Sequence, residues 1–191
     1  VYKRQLLPSD LAKSEEAIEQ AELILMQLEI PMDTVEFVAK TAWKKNKRVI
    51  LNPAPAQPLS ASLLEHLYMI TPNETEAEMI SGVKITDEVS ACKAAQVIRG
   101  MGVQNVIITL GSKGALIYCD STVKMIPAIK VEAIDTTAAG DVFNGALTVA
   151  LSERRDLTDA VQFACKASAI SVTRVGAQSS VPYRNEVDIF D

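Results

Sequence analysis

The sequence predicts a three-layer, Rossmann-like α/β fold, a mostly parallel sheet with helices on both faces. Short apolar runs of strand length alternate with stretches of helical periodicity from one end to the other. No low-complexity tract, internal repeat or Gly/Ser linker interrupts that alternation. The length, 191 residues with 48% apolar side chains, suits one globular domain with a sizeable core.

Residues 9–21 read as a helix, with Leu11, Ala17 and Ile18 on one side and Glu15, Glu16 and Glu19 on the other; residues 23–27 read as a buried strand. Pro31 can start the next helix, whose apolar face is Val35, Val38, Ala39 and Ala42 and whose basic end, Lys44, Lys45 and Lys47, suits the helix dipole. Residues 48–52 return as a strand. The stretch 53–58, with prolines at 53, 55 and 58, cannot be regular structure and forms a loop at a strand's end, where open α/β sheets bind ligands. Residues 68–71 then form a short strand, 73–80 a helix and 86–99 a longer helix closed by Gly100. Residues 106–110 and 115–119 are strands joined by Gly111, Ser112, Lys113 and Gly114, and 123–131 is extended. Two helices follow, 138–152 and 157–174, with Gly176 ending the second.

Composition excludes several function classes. Nineteen basic against 24 acidic residues give a net charge of −5, so no basic excess exists to neutralise a nucleic acid or an anionic membrane surface. No apolar run approaches the roughly 18 residues of a membrane span, and no charged-then-apolar leader opens the chain. Cys92, Cys119 and Cys165, 27 and 46 residues apart, fit no zinc spacing and leave an odd thiol, which points to a reducing cytoplasm. The chain begins Val1-Tyr2-Lys3-Arg4-Gln5, without methionine, and runs at once into an amphipathic stretch; upstream sequence is expected to be missing.

The chemistry concentrates at residues 135–141, Asp-Thr-Thr-Ala-Ala-Gly-Asp, which lead from an extended stretch into an amphipathic helix. With side chains as short as those of Ala138, Ala139 and Gly140, free N–H groups at the positive helix end can approach an anion closely. A carboxylate beside such a site repels its ligand unless it takes a proton or holds a metal, so Asp141 suits a base that deprotonates an attacking hydroxyl. An ordinary helix start with small residues and an N-terminal Asp is equally compatible with the spacing. Asn73 and Glu76, three apart at a helix start, could meet phosphates and a hydrated Mg²⁺, or could simply cap the helix. The glycines of 109–114 could admit a nucleotide or form a plain hairpin turn; neither a Walker A loop nor a dinucleotide fingerprint is present.

Residues 135–141 closely resemble the Asp-Thr-x-(Gly/Ala)-Ala-Gly-Asp signature of the PfkB family of carbohydrate kinases. The stretch from Thr71 to Glu78, Thr-Pro-Asn-Glu-Thr-Glu-Ala-Glu, is similar to the family's Asn-x-x-Glu element, and Thr109-Leu110-Gly111-Ser112-Lys113-Gly114 to its nucleotide loop. The Ala-Ala-Gly-Asp variant, Asn52-Pro53-Ala54-Pro55-Ala56 and Gly176-Ala177-Gln178-Ser179-Ser180-Val181-Pro182 resemble the branch that phosphorylates D-ribose at its 5-hydroxyl with ATP.

By this resemblance Asp141 is the catalytic base and also contacts the sugar, and the amides of Ala138, Ala139 and Gly140 hold the transferring phosphoryl group. Asn73, Thr109, Gly111, Ser112, Lys113, Gly114, Gly140 and Cys165 fall at ATP-binding positions, though Cys165 equally suits packing. Glu76 assists Mg²⁺ through water, and Glu29, just past a strand, holds sugar hydroxyls. A monovalent cation, usually K⁺, falls to Asp135, Thr137, Ser171, Arg174, Gly176 and Ser180, mostly through backbone carbonyls. His66, the single histidine, reads as an exposed helix residue.

The resemblance runs from about residue 6 to the C-terminus, 6–191 being the nucleotide-binding part of a kinase domain and 1–5 matching nothing. The family's leading strands, its Gly-Gly sugar-binding element and the lid that pairs subunits into homodimers are expected to be missing, and no Gly-Gly pair occurs in the chain. Weak ATP binding and little turnover are therefore expected of these residues alone. A sister kinase for another sugar or a nucleoside, or a non-catalytic nucleotide-binding remnant, are the alternatives.

Overall fold

Residues 6–11 and 15–190 are described by a computed structural model. The chain opens with α1 (Pro8–Leu11) and α2 (Glu15–Gln20), on which Ile18 is buried. The helix expected over 9–21 thus appears as two short pieces, with 12–14 outside the described residues. Then come β1 (Leu23–Met26), α3 (Met32–Lys44), β2 (Arg48–Leu51), α4 (Ala61–Leu64), β3 (Met69–Ile70), α5 (Glu74–Ser81), α6 (Glu88–Gly100) and β4 (Asn105–Thr109). Parallel strands need long crossovers, and these helices provide them. β1 pairs with β2, β2 with β3 and β3 with β4, all parallel, with Met26 opposite Leu51, Leu51 opposite Ile70 and Ile70 opposite Val106. Their carboxyl ends consequently open along one edge.

A 3-10 turn at Gly111–Lys113 leads to β5 (Ala115–Tyr118), a link short enough only for an antiparallel hairpin, and β6 (Val123–Ile126) completes a six-stranded sheet of order β1-β2-β3-β4-β5-β6. Gly114, at φ +107°, is required at the end of that turn, since a Cβ there would lie 1.9 Å from the Ile126 carbonyl oxygen. Last come α7 (Ala139–Ser152), α8 (Leu157–Ser171), a 3-10 turn at Gln178–Ser180 and α9 (Arg184–Asp188).

The chain divides into two compact units, Val1–Ile108 with Leu116–Val123, and Thr109–Ala115 with Lys124–Asp191. In the first, Val49, Ile50, Leu51, Met69, Ile70 and Val106 are fully buried, as continuous apolar runs require of strands covered on both faces. Small residues on α3, Ala39 and Ala42, let its backbone approach β2 closely, and on α6 Ala91, Ala94 and Ala95 are fully buried. In the second, α7 and α8 bury Leu147, Ala150, Ala160, Val161 and Ala164. α9 is fastened by buried Val187 and by Arg184, which donates to Glu153 at 2.6 and 3.0 Å and to Asp188 at 3.0 Å, and which lies over the Phe163 ring at 4.9 Å.

Three sequence readings need correction. Residues 127–131 are not strand, because β6 ends at Ile126. The helix expected over 157–174 stops at Ser171: the Val172 carbonyl accepts from Ile134 and Asp135 N–H at 2.7 and 3.1 Å, so residues distant in sequence hold the chain end there. His66 lies in the turn after α4, half-buried against Trp43 with ring centroids 5.1 Å apart, rather than exposed on a helix. No helix among the described residues is long and apolar enough to cross a membrane.

Candidate active site

In the second unit the critical local event is the start of α7. Ala138 is its N-cap and takes a left-handed conformation, φ 60° and ψ 10°, with no side-chain cap. For a residue with a Cβ that conformation costs about 1–2 kcal/mol, so the surrounding bonds must hold it. Ala139 N–H donates back to the Thr136 carbonyl at 3.2 Å, Val142 N–H to that of Ala138 at 2.9 Å, and the Ser168 hydroxyl of α8 to that of Ala139 at 3.0 Å. A left-handed residue followed by a helical one turns successive N–H groups into a common concavity, a ready anion site at the positive end of a helix.

Among the described residues the N–H groups of Ala138 and Gly140 meet no protein acceptor. The sequence reading placed Ala139 in the same role, but in this structure its N–H is turned onto Thr136. Asp141, in the first turn and exposed, directly follows Gly140 and stands three residues after Ala138. Ala138 and Asp141 also line a cavity of ≈ 450 Å³ whose remaining walls are largely apolar, including Val142, Val149, Phe163 and Val181. The unpaired N–H groups thus lie at the helix end, at the rim of a mostly apolar cavity.

Asp135 organises the turn before α7. Its Oδ1 accepts from Thr137 N–H and its Oδ2 from Gly176 N–H, both at 2.9 Å, and bonds from Thr137 and Gly176 hold its carboxyl down at about 2. Three of the six residues assigned to a monovalent cation, Asp135, Thr137 and Gly176, are thus brought together. The Arg174 N–H donates to the Ser171 carbonyl at 3.0 Å, and the Ser180 hydroxyl to Ala177 at 2.7 Å, so Ser171 and Ser180 take part in the turns that follow α8. The Asp135 carboxylate is a hard-oxygen donor of the kind that suits K⁺, and both of its oxygens here accept N–H groups. No cluster of three or more His, Cys, Asp or Glu suited to a metal occurs among the described residues.

The loop 109–114 is a hairpin turn, with Leu110 N–H donating to Gly114 at 2.8 Å and Gly114 N–H to Gly111 at 3.0 Å. Gly111, Ser112 and Lys113 are exposed, and a Cβ on Gly111 would meet nothing within 4 Å; Thr109 is half-buried. Gly114 answers to packing instead. Cys165 sits half-buried on α8, and burial pushes its thiol up to about 12.

In the first unit Asn73 and Glu76 form a reciprocal capping box on α5: Glu76 N–H donates to Asn73 Oδ1 at 2.9 Å, and Asn73 N–H to Glu76 Oε2 at 2.8 Å. The capping reading holds, yet it leaves the Asn73 amide NH₂ and Glu76 Oε1 without protein partners among the described residues, a donor and an acceptor that fit a phosphate and a hydrated Mg²⁺. Burial raises the Glu76 carboxyl above its ordinary value, and the bond from Asn73 partly offsets that. Glu29 lies exposed in the bend after β1; that bend is tied to the Pro-rich loop by Leu28 N–H donating to Ala54 at 2.8 Å.

In the sequence Asn52 stands out only as a strand end and as part of the Asn52-Pro53-Ala54-Pro55-Ala56 motif. It is 6% exposed, and a lone polar side chain closing the run Val49-Ile50-Leu51 is the available signal.

Comparison with known proteins decides the family. The pfkB family carbohydrate kinase profile matches residues 2–184. The chain belongs to the pfkB family of carbohydrate kinases. Relatives in this family include ribokinase from Haemophilus influenzae, 50% identical over 174 residues that cover 91% of this chain and 57% of the relative, and ribokinase from Staphylococcus aureus, 40% identical, covering 96% and 60%. Among solved structures, Thermotoga maritima ribokinase superposes with a TM-score of 0.89 at 42% identity, covering 98% of this chain and 62% of that one. Arabidopsis thaliana ribokinase, solved with ribose and ATP, gives 0.88 at 30% identity, covering 92% and 57%. The fold is therefore that of ribokinases, and the chain spans about three fifths of the length of the relatives it matches.

Proposed function

We propose that the protein carrying this chain transfers the γ-phosphoryl group of ATP to the 5-hydroxyl of D-ribose, giving ribose 5-phosphate and ADP. The observation that carries this is the start of α7, where unpaired N–H groups of a left-handed turn adjoin a carboxylate. The identities of 50% and 40% to ribokinases and the likeness to a structure holding ribose and ATP support it.

Asp141 takes the proton of the sugar hydroxyl as its oxygen attacks the γ-phosphorus. The bond to the bridging oxygen breaks and the electron pair leaves with ADP. The N–H groups of Ala138 and Gly140 receive the charge on the equatorial oxygens, and Ala139 joins them only by releasing Thr136. Such positioning and charge neutralisation supply most of phosphoryl-transfer catalysis.

Glu29 accepts hydrogen bonds from sugar hydroxyls, Asn73 donates to a phosphate, and the turn from Thr109 to Gly114 holds the nucleotide with Cys165 packing near it. Mg²⁺ held through water by Glu76 would reduce phosphate charge, and K⁺ beside Asp135, Thr137, Ser171, Arg174, Gly176 and Ser180 would fix the carbonyls of that turn. The whole protein is assigned to the cytoplasm, in keeping with three free cysteines, and to a homodimer formed through a lid.

The test joins the N-terminal part of the Haemophilus influenzae relative, which this chain does not span, to the chain and measures ATP-dependent phosphorylation of ribose, fructose and adenosine. Ribose is expected to be preferred, and Asp141→Asn to lower turnover about 10²- to 10⁴-fold. Undiminished turnover in that variant, or preference for another acceptor, would overturn the reading.

A further inference from the structure

The turns flanking the α7 start are tied to the C-terminal helix by an ion pair of which only one member, Arg174, figures among the residues singled out in the sequence. α8 ends at Ser171, and the chain must reverse over 172–177 before the turn at Gln178–Ser180. Two points of that reversal are already anchored: the Val172 carbonyl accepts from Ile134 and Asp135 N–H, and Gly176 N–H donates to Asp135 Oδ2 at 2.9 Å. Between them, Arg174 reaches to α9 and meets Glu186 in a two-point contact, Nη2 to Oε1 at 2.5 Å and Nη1 to Oε2 at 3.4 Å. Glu186 is itself fixed, because its Oε2 accepts from Tyr183 N–H at 2.7 Å at the start of α9.

Both side chains are 34% exposed. An isolated pair at such a site is worth little, about 0.2–1 kcal/mol. This pair is not isolated. A guanidinium gripped at two nitrogens by a carboxylate that is already held loses little further freedom and fixes direction as well as distance.

We propose that Arg174 and Glu186 are positioning residues for phosphoryl transfer: the pair holds the 172–176 turn so that Gly176 engages Asp135, and Asp135 in turn fixes Thr137 and the left-handed Ala138. The chain of contacts runs Glu186, Arg174, Gly176, Asp135, Thr137: every link is a hydrogen bond except that from Arg174 to Gly176, which is two peptide steps along the same turn. Neither side chain touches the reacting atoms. This inference rests on the proposed kinase reading only for its consequence in nucleotide binding; the mechanical link stands on the bonds themselves.

The test uses the 191-residue chain. Amide exchange followed by NMR at Gly176 and Thr137, both donors to Asp135, is expected to accelerate about tenfold in Arg174→Met, equivalent to about 1.4 kcal/mol of local opening. Val161 and Ala164, deep in α8, are expected to keep their rates. Arg174→Lys, which retains the charge and one contact, should recover most of the protection, and Glu186→Gln should match Arg174→Met. In the same variants the Kd for ATP should rise more than that for adenosine, since the phosphate end is the one disturbed. Unchanged exchange at Gly176 and Thr137 in both Arg174→Met and Glu186→Gln would overturn the proposal, as would equal acceleration at Val161 and Ala164. Selective acceleration with no ATP binding or ribose phosphorylation in the chimera that restores the part of the relative this chain does not span would keep the link and remove the kinase reading instead. If Arg174→Met does not fold, Arg174→Lys and Glu186→Gln carry the exchange comparison.

Discussion

Two helix starts in this chain carry residues of family motifs, and they are built in opposite ways. At α5 the donors are closed by the chain itself: Asn73 and Glu76 satisfy one another's backbone, and the N-cap backbone is extended. At α7 the N-cap is an alanine with positive φ, no side chain caps it, and the N–H groups of Ala138 and Gly140 are left without a protein acceptor among the described residues. The first arrangement stabilises a helix and offers a ligand only what the cap leaves over. The second forgoes a cap, typically worth about 1 kcal/mol, and holds donors ready for an anion. A helix end of one kind can position a phosphate; a helix end of the other kind can receive it.

Changes at the two starts should therefore differ in kind. The largest effect belongs to Asp141→Asn in the full-length chimera: turnover falls about 10²- to 10⁴-fold while the Kd for ATP moves by less than about threefold. A large loss of ATP affinity with turnover preserved would reverse the roles assigned to carboxylate and amides.

Gly140→Ala comes next. A Cβ there meets nothing within 4 Å, and alanine favours a helix over glycine by about 0.5–1 kcal/mol, so the chain should become more stable by urea denaturation. The same methyl narrows the approach to the amides, and the Kd for ATP should rise about tenfold; an unchanged Kd would show that the anion sits elsewhere. Asn73→Ala should do the reverse, lowering stability by about 0.5–2 kcal/mol through loss of the cap.

Acid separates the two starts by sign. Asp135 is held at about 2 against an ordinary 3.8, so the stability its bonds confer is complete above 3.8 and is lost as pH falls toward 2; Asp135→Asn should flatten the melting curve over that interval. Glu76 has the opposite shift, raised from 4.5 by burial, so its ionisation opposes folding as pH rises through 4.5 and beyond. The smallest effect is chemical: with its thiol at about 12, Cys165 should resist alkylation at pH 8 until the chain is unfolded, and prompt labelling of native protein would contradict its burial.

The sheet was legible because strands such as Val49-Ile50-Leu51 are buried on both faces and announce themselves as apolar runs between helical stretches. α4 and α9, of four and five residues, are too short for helical periodicity to register. The overshoot past Ser171 has a different origin. Val172, Thr173 and Arg174 continue a plausible helix in sequence, and only the bonds from Ile134 and Asp135 to the Val172 carbonyl end it.

At the site, residues 135–141 were visible as a motif, and so were Asn73 and Glu76. The left-handed Ala138 was not, because alanine gives no sign of positive φ. The hold of Thr136 on the Ala139 amide was equally hidden. Glu186, 12 residues beyond Arg174 and outside the motif, becomes visible only when α9 folds back.

Ala138 has a consequence for anyone who would make this protein sturdier. Glycine at that place would relax the twisted backbone and, by the usual reckoning, yield about 1 kcal/mol of melting resistance. It would also widen the range of shapes the turn samples before an anion arrives, so a screen for heat tolerance alone would select against the anion site proposed above. Alanine is the more uncomfortable residue there, and the better gauge of where the molecule has been kept taut.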